Sequence, residues 1–426
     1  MHIKKEASGA QKKPNVKASN ERALTADILN RILEKKEFSH LVLREALEHS
    51  SLDERSKAFI TRLTEGTIEY TIQIDFILNH YCSTKTKNMH PVIRTILRMS
   101  VYQILYMDKV PVSAAINEAV KLVKTDPERK VRFLSGFVNA VLRAIGKDQE
   151  TILADLRHTG KTPAYIRFST PLWLYDYLRS IYGKEETERM LAWFLEGKKE
   201  NYVRFQDGHM ETMDGNIVNT EAFRSGEITI QDYASQQVGN FAAPEEGSFI
   251  VDVCAAPGGK SCHLASLLHG TGMVDARDLT EDKVRLIKEN IERLNLHNIR
   301  AKVHDARIPD PSLLDAQGHG TADLVLADLP CSGLGIISKK PDIRFSAFRE
   351  EFVQLQKLQR EILTTVSRYV KPGGRLIYST CTLSAEENEQ NRDWIQETLG
   401  CKLIKEQKFL PGLPSDGFYI CIFQKD

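Results

Sequence analysis

From Ala23 to about Ile145 the apolar residues of this chain recur every three or four positions, as in Leu24, Ile28, Ile32 and Leu33, and again in Ile93, Leu97, Val101 and Ile104. That spacing places them on one face of a 3.6-residue helix, and no period-two alternation interrupts it, so the segment predicts an all-α domain. Pro91 fits the first turn of a helix, where its missing N–H has no partner to lose, and Pro111 with Ser113 marks the start of the next, Ala114–Val123. Residues 148–236 mix short patterns. An amphipathic stretch from Pro171 to Phe194 (Leu172, Leu174, Tyr175, Leu178, Ile181, Tyr182) precedes a strand at Asn201–Phe205, and the segment reads as a small α+β module.

From Gly247 the pattern changes again, to short apolar runs alternating with longer amphipathic ones. Strands are predicted at Phe249–Val253, Met273–Arg277, Ala301–His304, Leu324–Ala327 and Arg375–Tyr378, and helices at Ser261–Leu268, Glu281–Leu294, Glu350–Tyr369 and Ala385–Glu397. Such alternation is the mark of a doubly wound α/β sheet. Thr280 is an expected helix N-cap, and Ser384 with Glu387 has the spacing of a capping box. The expected organisation is a basic tail over residues 1–20, too poor in large apolar side chains to fold; an all-α domain over 21–147; the α+β module over 148–236; and the α/β domain over 237–426.

Composition narrows the class. Hydrophobic residues make up 42% and charged residues 27% of the chain, and no apolar run approaches the roughly 20 residues of a membrane span. The start, Met1-His2-Ile3-Lys4-Lys5-Glu6, has no apolar core of a secretory signal, which leaves the cytoplasm as the expected location. None of the seven cysteines forms a C-x-x-C pair, so reduced thiols are expected rather than a disulfide framework or a zinc site, and no metal is expected. The net charge of +1 conceals an asymmetry: residues 1–147 carry 25 Lys and Arg against 16 Asp and Glu, and the remainder 33 against 41. A basic front on a nearly neutral chain points to nucleic acid as partner. Within residues 80–147 the counts are 12 against 4, and Arg94 and Arg98, one helical turn apart, predict a basic binding face.

Chemistry enters at the strand ends. After the first α/β strand comes Cys254-Ala255-Ala256-Pro257-Gly258-Gly259-Lys260-Ser261, whose small side chains let backbone approach a nucleotide-like ligand beside the topological switch point. About twenty residues later the second strand ends at Asp278, where an acid accepts hydrogen bonds from ribose hydroxyls; Asp275 lies earlier in that strand and is the weaker choice. Asp305, after the third strand, would lie near the adenine, and Asp328, after the fourth, near the reacting group. The dinucleotide pattern G-x-G-x-x-G is absent. Gly259-Lys260-Ser261 supplies the end of a P-loop, but Cys254 occupies the position of its first glycine. Lys260 is either a ligand contact or a surface residue of the helix start.

Two cysteines stand at neighbouring strand ends, Cys331 in Asp328-Leu329-Pro330-Cys331-Ser332-Gly333 and Cys381 in Ser379-Thr380-Cys381-Thr382, so both thiols should open onto one pocket. Carbon 5 of cytosine is a poor nucleophile until a thiolate adds to carbon 6. The resulting enamine can attack a sulfonium methyl, with Asp328 placed to assist at ring nitrogen 3, and a base then removes the carbon-5 proton as the thiolate leaves. On these grounds alone the two thiols are interchangeable.

The segments Val253–Ser261, Asp328–Gly333 and Ser379–Cys381, with Pro341-Asp342-Ile343-Arg344 and Asp416-Gly417-Phe418, resemble the Sun/Fmu family of RNA cytosine-5 methyltransferases. Pro111–Val123 and Phe133–Ile145 resemble the NusB-like RNA-binding domain at the front of its ribosomal RNA members. The resemblance implies a Rossmann-like class I methyltransferase domain using S-adenosyl-L-methionine. It also implies Cys381 as nucleophile, Cys331 as the thiol that assists product release, and 16S ribosomal RNA as substrate at a cytosine of the 967 type. A transfer-RNA cytosine-5 methyltransferase and a catalytically silent RNA-binding assembly factor are the alternatives; a monomer is expected. Arg277 departs from the apolar residue usual before the ribose acid. Gln231, Asp232 and Ser235 match a family segment near substrate, with no role assigned.

Overall fold

A computed structural model of the protein describes residues 21–426 except 49, 198, 199 and 413; the expected tail over 1–20 lies outside the described residues. The chain forms two compact units, divided between Ser169 and Thr170. The first is all-helical. Its axis is the helix Pro91–Tyr106, which starts on Pro91 as the sequence implies and is buried on nearly every side, from Ile93 through Leu105. Helices Glu21–Leu33, Glu54–Glu69, Val112–Thr125 and Ser135–Lys147 pack around it, and a helix so enclosed must be apolar all round or pair what is not.

That burial overturns the expected basic face. Arg94 forms a fork with Glu34 and donates from Nη1 to the Thr86 carbonyl at 3.0 Å. Arg98 is only 9% exposed and binds both oxygens of Asp75, at 2.8 and 2.6 Å. These two cations hold helices together. The solvent-facing charge lies elsewhere, on Lys124, Arg129, Lys130, Arg132, Arg143 and Lys147, with Phe133 exposed among them and Arg129 over its ring at 5.4 Å. Arg98→Met should therefore lower the stability of the unit by about 2–4 kcal/mol, because Asp75 is left largely buried and unpaired, and should leave the salt dependence of RNA binding unchanged. Urea titration and RNA binding at several salt concentrations check both; a reduced salt slope at unchanged stability would restore the binding role.

The structure also divides the chain differently from the expected boundaries at 147 and 236. Residues 148–169 fold back on the helical unit, burying Ile152, Leu156 and Ile166. The α+β character begins only at Thr170, with helices Leu172–Tyr182 and Lys184–Glu196 and a small antiparallel sheet of β1 (Asn201–Phe205), β2 (Met210–Met213) and β3 (Ile228–Ile230) in the order β2-β1-β3. It belongs to the same unit as the α/β domain.

The main sheet has seven strands: β4 (Phe249–Asp252), β5 (Met273–Asp278), β6 (Ile299–Val303), β7 (Ala322–Asp328), β8 (Val370–Thr380), β9 (Cys401–Phe409) and β10 (Phe418–Lys425), in the order β6-β5-β4-β7-β8-β10-β9. The first five in space are parallel; β10 runs antiparallel to β8 and β9. Alternate residues of each strand feed opposite faces. Ile250, Leu324, Leu326 and Ile377 pack with helices Tyr233–Ala242, Gly259–Leu267 and Glu281–Arg293, whereas Val251, Val325, Leu376 and Tyr378 pack under helices Arg349–Val366 and Glu389–Thr398. From β4 the chain winds outward through β5 to β6, then returns to β7 on the other side of β4. That reversal opens the crevice at the carboxyl ends of β4 and β7.

Strands β9 and β10 have no counterpart among the expected elements. β9 is an exposed edge carrying Lys402, Lys405 and Lys408, the usual protection of a sheet edge, which erases its apolar alternation. The helix expected from Ala385 begins only at Glu389. Ser384 Oγ accepts from the Glu387 N–H at 3.3 Å, the forward half of a capping box, but the Glu387 carboxylate turns inward to Ser332 and caps nothing.

Candidate active site

Every residue singled out at the strand ends lies along the carboxyl edge of the parallel strands. The loop after β4 is fastened to its neighbour: Ala255 N–H donates to the Arg277 carbonyl at 2.8 Å, and Ala256 N–H to Asp278 Oδ2 at 2.9 Å. Gly258 has φ +107°, and a Cβ there would lie 3.3 Å from the backbone of Ile287, so this turn favours glycine by conformation as well as by space. In front of Gly259 the space is open, a Cβ meeting nothing nearer than the Gln231 amide at 3.8 Å. A backbone left accessible by Ala255, Ala256, Gly258 and Gly259, with an acid at its side, fits an adenosyl group.

Asp278 is buried, and its other oxygen accepts from Leu279 N–H at 2.7 Å and pairs with Lys283 at 2.9 Å. Asp275 is wholly buried in a knot with Arg277, Arg300 and Lys302. The unusual Arg277 is thereby neutralised, by Asp275 at 2.6 Å and Asp310 at 3.0 Å. Asp305 lies just past β6, farther along the edge, where Arg307 engages both its oxygens.

The reacting side of the crevice is denser. Asp328, the last residue of β7, is in register with Ser379 of β8. It accepts from Ser379 Oγ at 2.7 Å on one oxygen and from Lys260 Nζ at 2.6 Å on the other. Burial pulls the Lys260 ammonium toward neutrality, but Asp328 outweighs it and holds the lysine above its ordinary range. Lys260 also stands 5.2 Å over the ring of Phe418, so it is a site residue and not a surface one. Asp252, at the end of β4, is pushed up to about 7 by burial, with the Ser261 hydroxyl at 2.5 Å opposing the shift.

The two thiols meet: Cys331 Sγ lies 3.4 Å from Cys381 Sγ. Their surroundings differ. A hydrogen bond from Cys331 lowers the Cys381 thiol below its ordinary range, and Lys260 and Lys340 add to this against burial and Asp328. Cys331 is raised well above its range by the same bond, by burial and by the Cys381 and Glu387 charges. These surroundings favour the thiolate at Cys381 and the S–H at Cys331.

Backbone contacts fix the loops. Gly335 N–H donates to the Cys381 carbonyl at 3.0 Å, and a Cβ at Gly335 would fall 2.2 Å from the Gly417 carbonyl, so Gly335 and the Asp416-Gly417-Phe418 segment close tightly behind the thiol. Asn388 accepts from Thr380 Oγ1 at 2.6 Å and donates to the Thr382 carbonyl at 3.0 Å. Tyr182, on the helix pair before the small sheet, donates to the Leu383 carbonyl at 2.9 Å. Asp232 caps the helix Tyr233–Ala242 and shares Lys339 with Asp416, at 2.8 and 2.9 Å. Gln231 lies against the cofactor loop and binds Arg204 and Ser235 through long contacts.

Sequence reasoning did not single out Asp252, Ser379, Glu387 or Asn388. Asp252 had the same signal as the other strand-end acids; Ser379 lay inside a recognised motif; Glu387 gave only its capping spacing to Ser384, and Asn388 gave none.

Comparison with known proteins agrees with this geometry. Residues 240–422 match the family described as 16S rRNA methyltransferase RsmB/F, and residues 19–147 match the NusB family. A probable ribosomal RNA small subunit methyltransferase B of Bacillus subtilis is 30% identical, with 96% of this chain and 100% of that protein aligned. The ribosomal RNA small subunit methyltransferase B of Proteus mirabilis is 28% identical, over 88% of this chain and 92% of that one. In fold, the crystal structure of PH0851 covers 96% of this chain and 99% of its own at a TM-score of 0.75 and 23% identity. A methyltransferase homologue from Pyrococcus horikoshii covers 62% of this chain and 100% of its own, at a TM-score of 0.53 and 22% identity. With a NusB-family helical domain ahead of an S-adenosylmethionine-dependent methyltransferase domain, the chain belongs to the RsmB/F family of small-subunit ribosomal RNA methyltransferases.

Proposed function

We propose that this protein methylates carbon 5 of a cytosine in 16S ribosomal RNA, of the 967 type, through a covalent adduct between Cys381 and carbon 6. The observation that carries this reading is the thiol pair, 3.4 Å apart and unequal in charge environment, beside Asp328. A methyltransferase acting on an already nucleophilic atom needs neither thiol. S-adenosylmethionine, held by the loop Cys254–Lys260 with Asp278, Asp305 and Asp328, supplies the electrophilic methyl carbon.

The protein's own part divides into three tasks. The Cys381 thiolate adds to carbon 6, its electron pair forming the C–S bond while the displaced pair of the carbon 5–carbon 6 double bond moves through the ring toward nitrogen 3. There the Lys260–Asp328 pair is the charge acceptor: both Asp328 oxygens accept hydrogen bonds, so the proton of the pair rests on Lys260. Once carbon 5 carries the methyl group, the Cys381 sulfur is held in the C–S bond and no longer raises Cys331; Cys331 gives its S–H proton to solvent and as thiolate takes the carbon-5 proton, the C–H electrons restore the double bond to carbon 6, and the C–S electrons return to Cys381. The exposed cations near Phe133 offer the RNA phosphates a salt-sensitive surface, and the target base must leave its stack to reach the crevice.

The test is methylation of 16S ribosomal RNA and transfer RNA carrying tritium at cytosine carbon 5. One tritium released per methyl group transferred, from the ribosomal RNA only, is the expected outcome. Methyl transfer with tritium retained would sink the carbon-5 assignment; release from transfer RNA, or no transfer to either, would favour the transfer-RNA enzyme or a silent assembly factor.

A further inference from the structure

Between the two thiol loops lies a buried carboxylate that the reaction above does not use. Glu387 is wholly buried, eight residues beyond Ser379 on the far side of the Cys381 turn. Its Oε2 accepts from the Ser332 N–H at 3.0 Å and from Gln359 Nε2 at 3.0 Å; its Oε1 accepts from Ser332 Oγ at 2.5 Å. Gln359 Nε2 also reaches the Pro330 carbonyl at 2.9 Å. The segment Pro330-Cys331-Ser332 is thus gripped on both sides of the cysteine. Ser332 Oγ in turn contacts Thr382 Oγ1 at 2.6 Å, the residue after Cys381.

A capping role would turn this carboxylate outward to a helix end. A charge placed away from water is retained only where it is fully hydrogen-bonded, and here its donors are Ser332, next to one thiol, and Gln359, which also holds the Pro330 carbonyl on the other side of that thiol. We propose that Glu387 is a positioning residue for the thiol pair: by clamping Ser332, and through it Thr382, it holds Cys331 against Cys381. It touches neither the base nor the methyl donor.

Resting on the reading of Cys331 as the base of product release, the inference predicts a defect confined to that step. Without the clamp, the Cys381 thiolate still adds to carbon 6 and carbon 5 is still methylated. Cys331 no longer meets the carbon-5 proton, so the C–S bond persists. Gln359 cannot turn its amide around to compensate, because its Oε1 already accepts from Asn391 at 2.8 Å and from Tyr378 at 3.2 Å. A glutamine at 387 can replace the carboxylate: its oxygen accepts from Ser332 N–H and Gln359, and its nitrogen donates to Ser332 Oγ, which then donates to Thr382.

The experiment compares single-turnover methyl transfer, multiple turnover and methylated protein–RNA adduct on denaturing gels for Glu387→Ala, Glu387→Gln, Thr382→Val and Cys331→Ala, with thermal midpoint and S-adenosylmethionine affinity as folding checks. In Glu387→Ala, multiple turnover should fall roughly 100-fold, the scale of a misplacement of about 1 Å, while single turnover stays within several-fold and adduct accumulates as in Cys331→Ala. Glu387→Gln should recover most turnover. Thr382→Val, which cuts the last link together with a long contact from the Ser384 N–H at 3.3 Å, should show the same adduct more weakly, and it carries the test if the alanine variant does not fold. Equal loss of single and multiple turnover in Glu387→Ala, with adduct still present in Cys331→Ala, overturns the positioning role and leaves the thiol reading standing. Absence of adduct in both Glu387→Ala and Cys331→Ala overturns the two together.

Discussion

Cys381→Ala should abolish methyl transfer and every covalent RNA adduct, a loss on the order of 10⁴-fold or more, as for removal of other attacking nucleophiles. Cys331→Ala should instead leave addition intact and trap the RNA on Cys381. The asymmetry follows from the charges around two sulfurs only 3.4 Å apart. The hydrogen bond between the sulfurs, with Lys260 and Lys340, favours a thiolate at Cys381 against burial and Asp328, whereas burial and Glu387 oppose one at Cys331. The pH dependence supplies an independent check. Cys381 lies below the ordinary thiol range chiefly because Cys331 donates a hydrogen bond to it. Adduct formation in the wild type should rise with pH through that lowered value. Cys331→Ala removes the donor, so the Cys381 thiol moves up and the midpoint of adduct formation shifts to higher pH. An unshifted midpoint would remove the hydrogen bond from the argument, and adduct in Cys381→Ala but not in Cys331→Ala would exchange the two roles.

The second large effect is expected at the Lys260–Asp328 pair. Lys260→Met and Asp328→Asn should each slow the first turnover by about 10²–10³-fold, within the range of a lost proton-transfer partner. Lys260→Met leaves Asp328 and the Cys381 thiolate as neighbouring negative charges with only Lys340 acting against them, so it should also raise the pH needed for adduct formation. Asp328→Asn removes the oxygen that steers the ammonium. Because both act through one 2.6 Å contact, the double variant should lose little more than the worse single one. Rapid-quench measurement of methyl transfer checks this; fully additive losses would mean that the two residues act at separate atoms of the substrate.

Much of the site was legible because strand ends of an open parallel sheet converge whatever their separation along the chain. Asp278, Asp328, Cys331 and Cys381 could be placed at one edge from apolar periodicity and small-residue loops alone, and the crevice between β4 and β7 is where strand order reverses. Asp252 obeys the same rule and was within reach of it. Edge strand β9 was not legible, since its exposed lysines hide the alternation that reports a strand. The division at Ser169 was not legible either: a short amphipathic helix shows that it buries one face, not which unit receives it.

The amino-acid sequence by itself determined the succession of a helical domain and an α/β domain, the small-residue loop after β4, and the two thiols on adjacent strands, because these depend on local periodicity and on backbone geometry within a few residues. Tertiary structure alone decided what each charged group is for. Arg94 and Arg98 look like a binding face until Glu34 and Asp75 are brought against them. Glu387 looks like a helix cap until Ser332, 55 positions away, takes its carboxylate. The difference between Cys331 and Cys381, invisible in their motifs, likewise arises from the contact between their sulfurs and from lysines and carboxylates delivered by other segments, since the strength of an interaction between charges depends on distance and burial and not on separation along the chain.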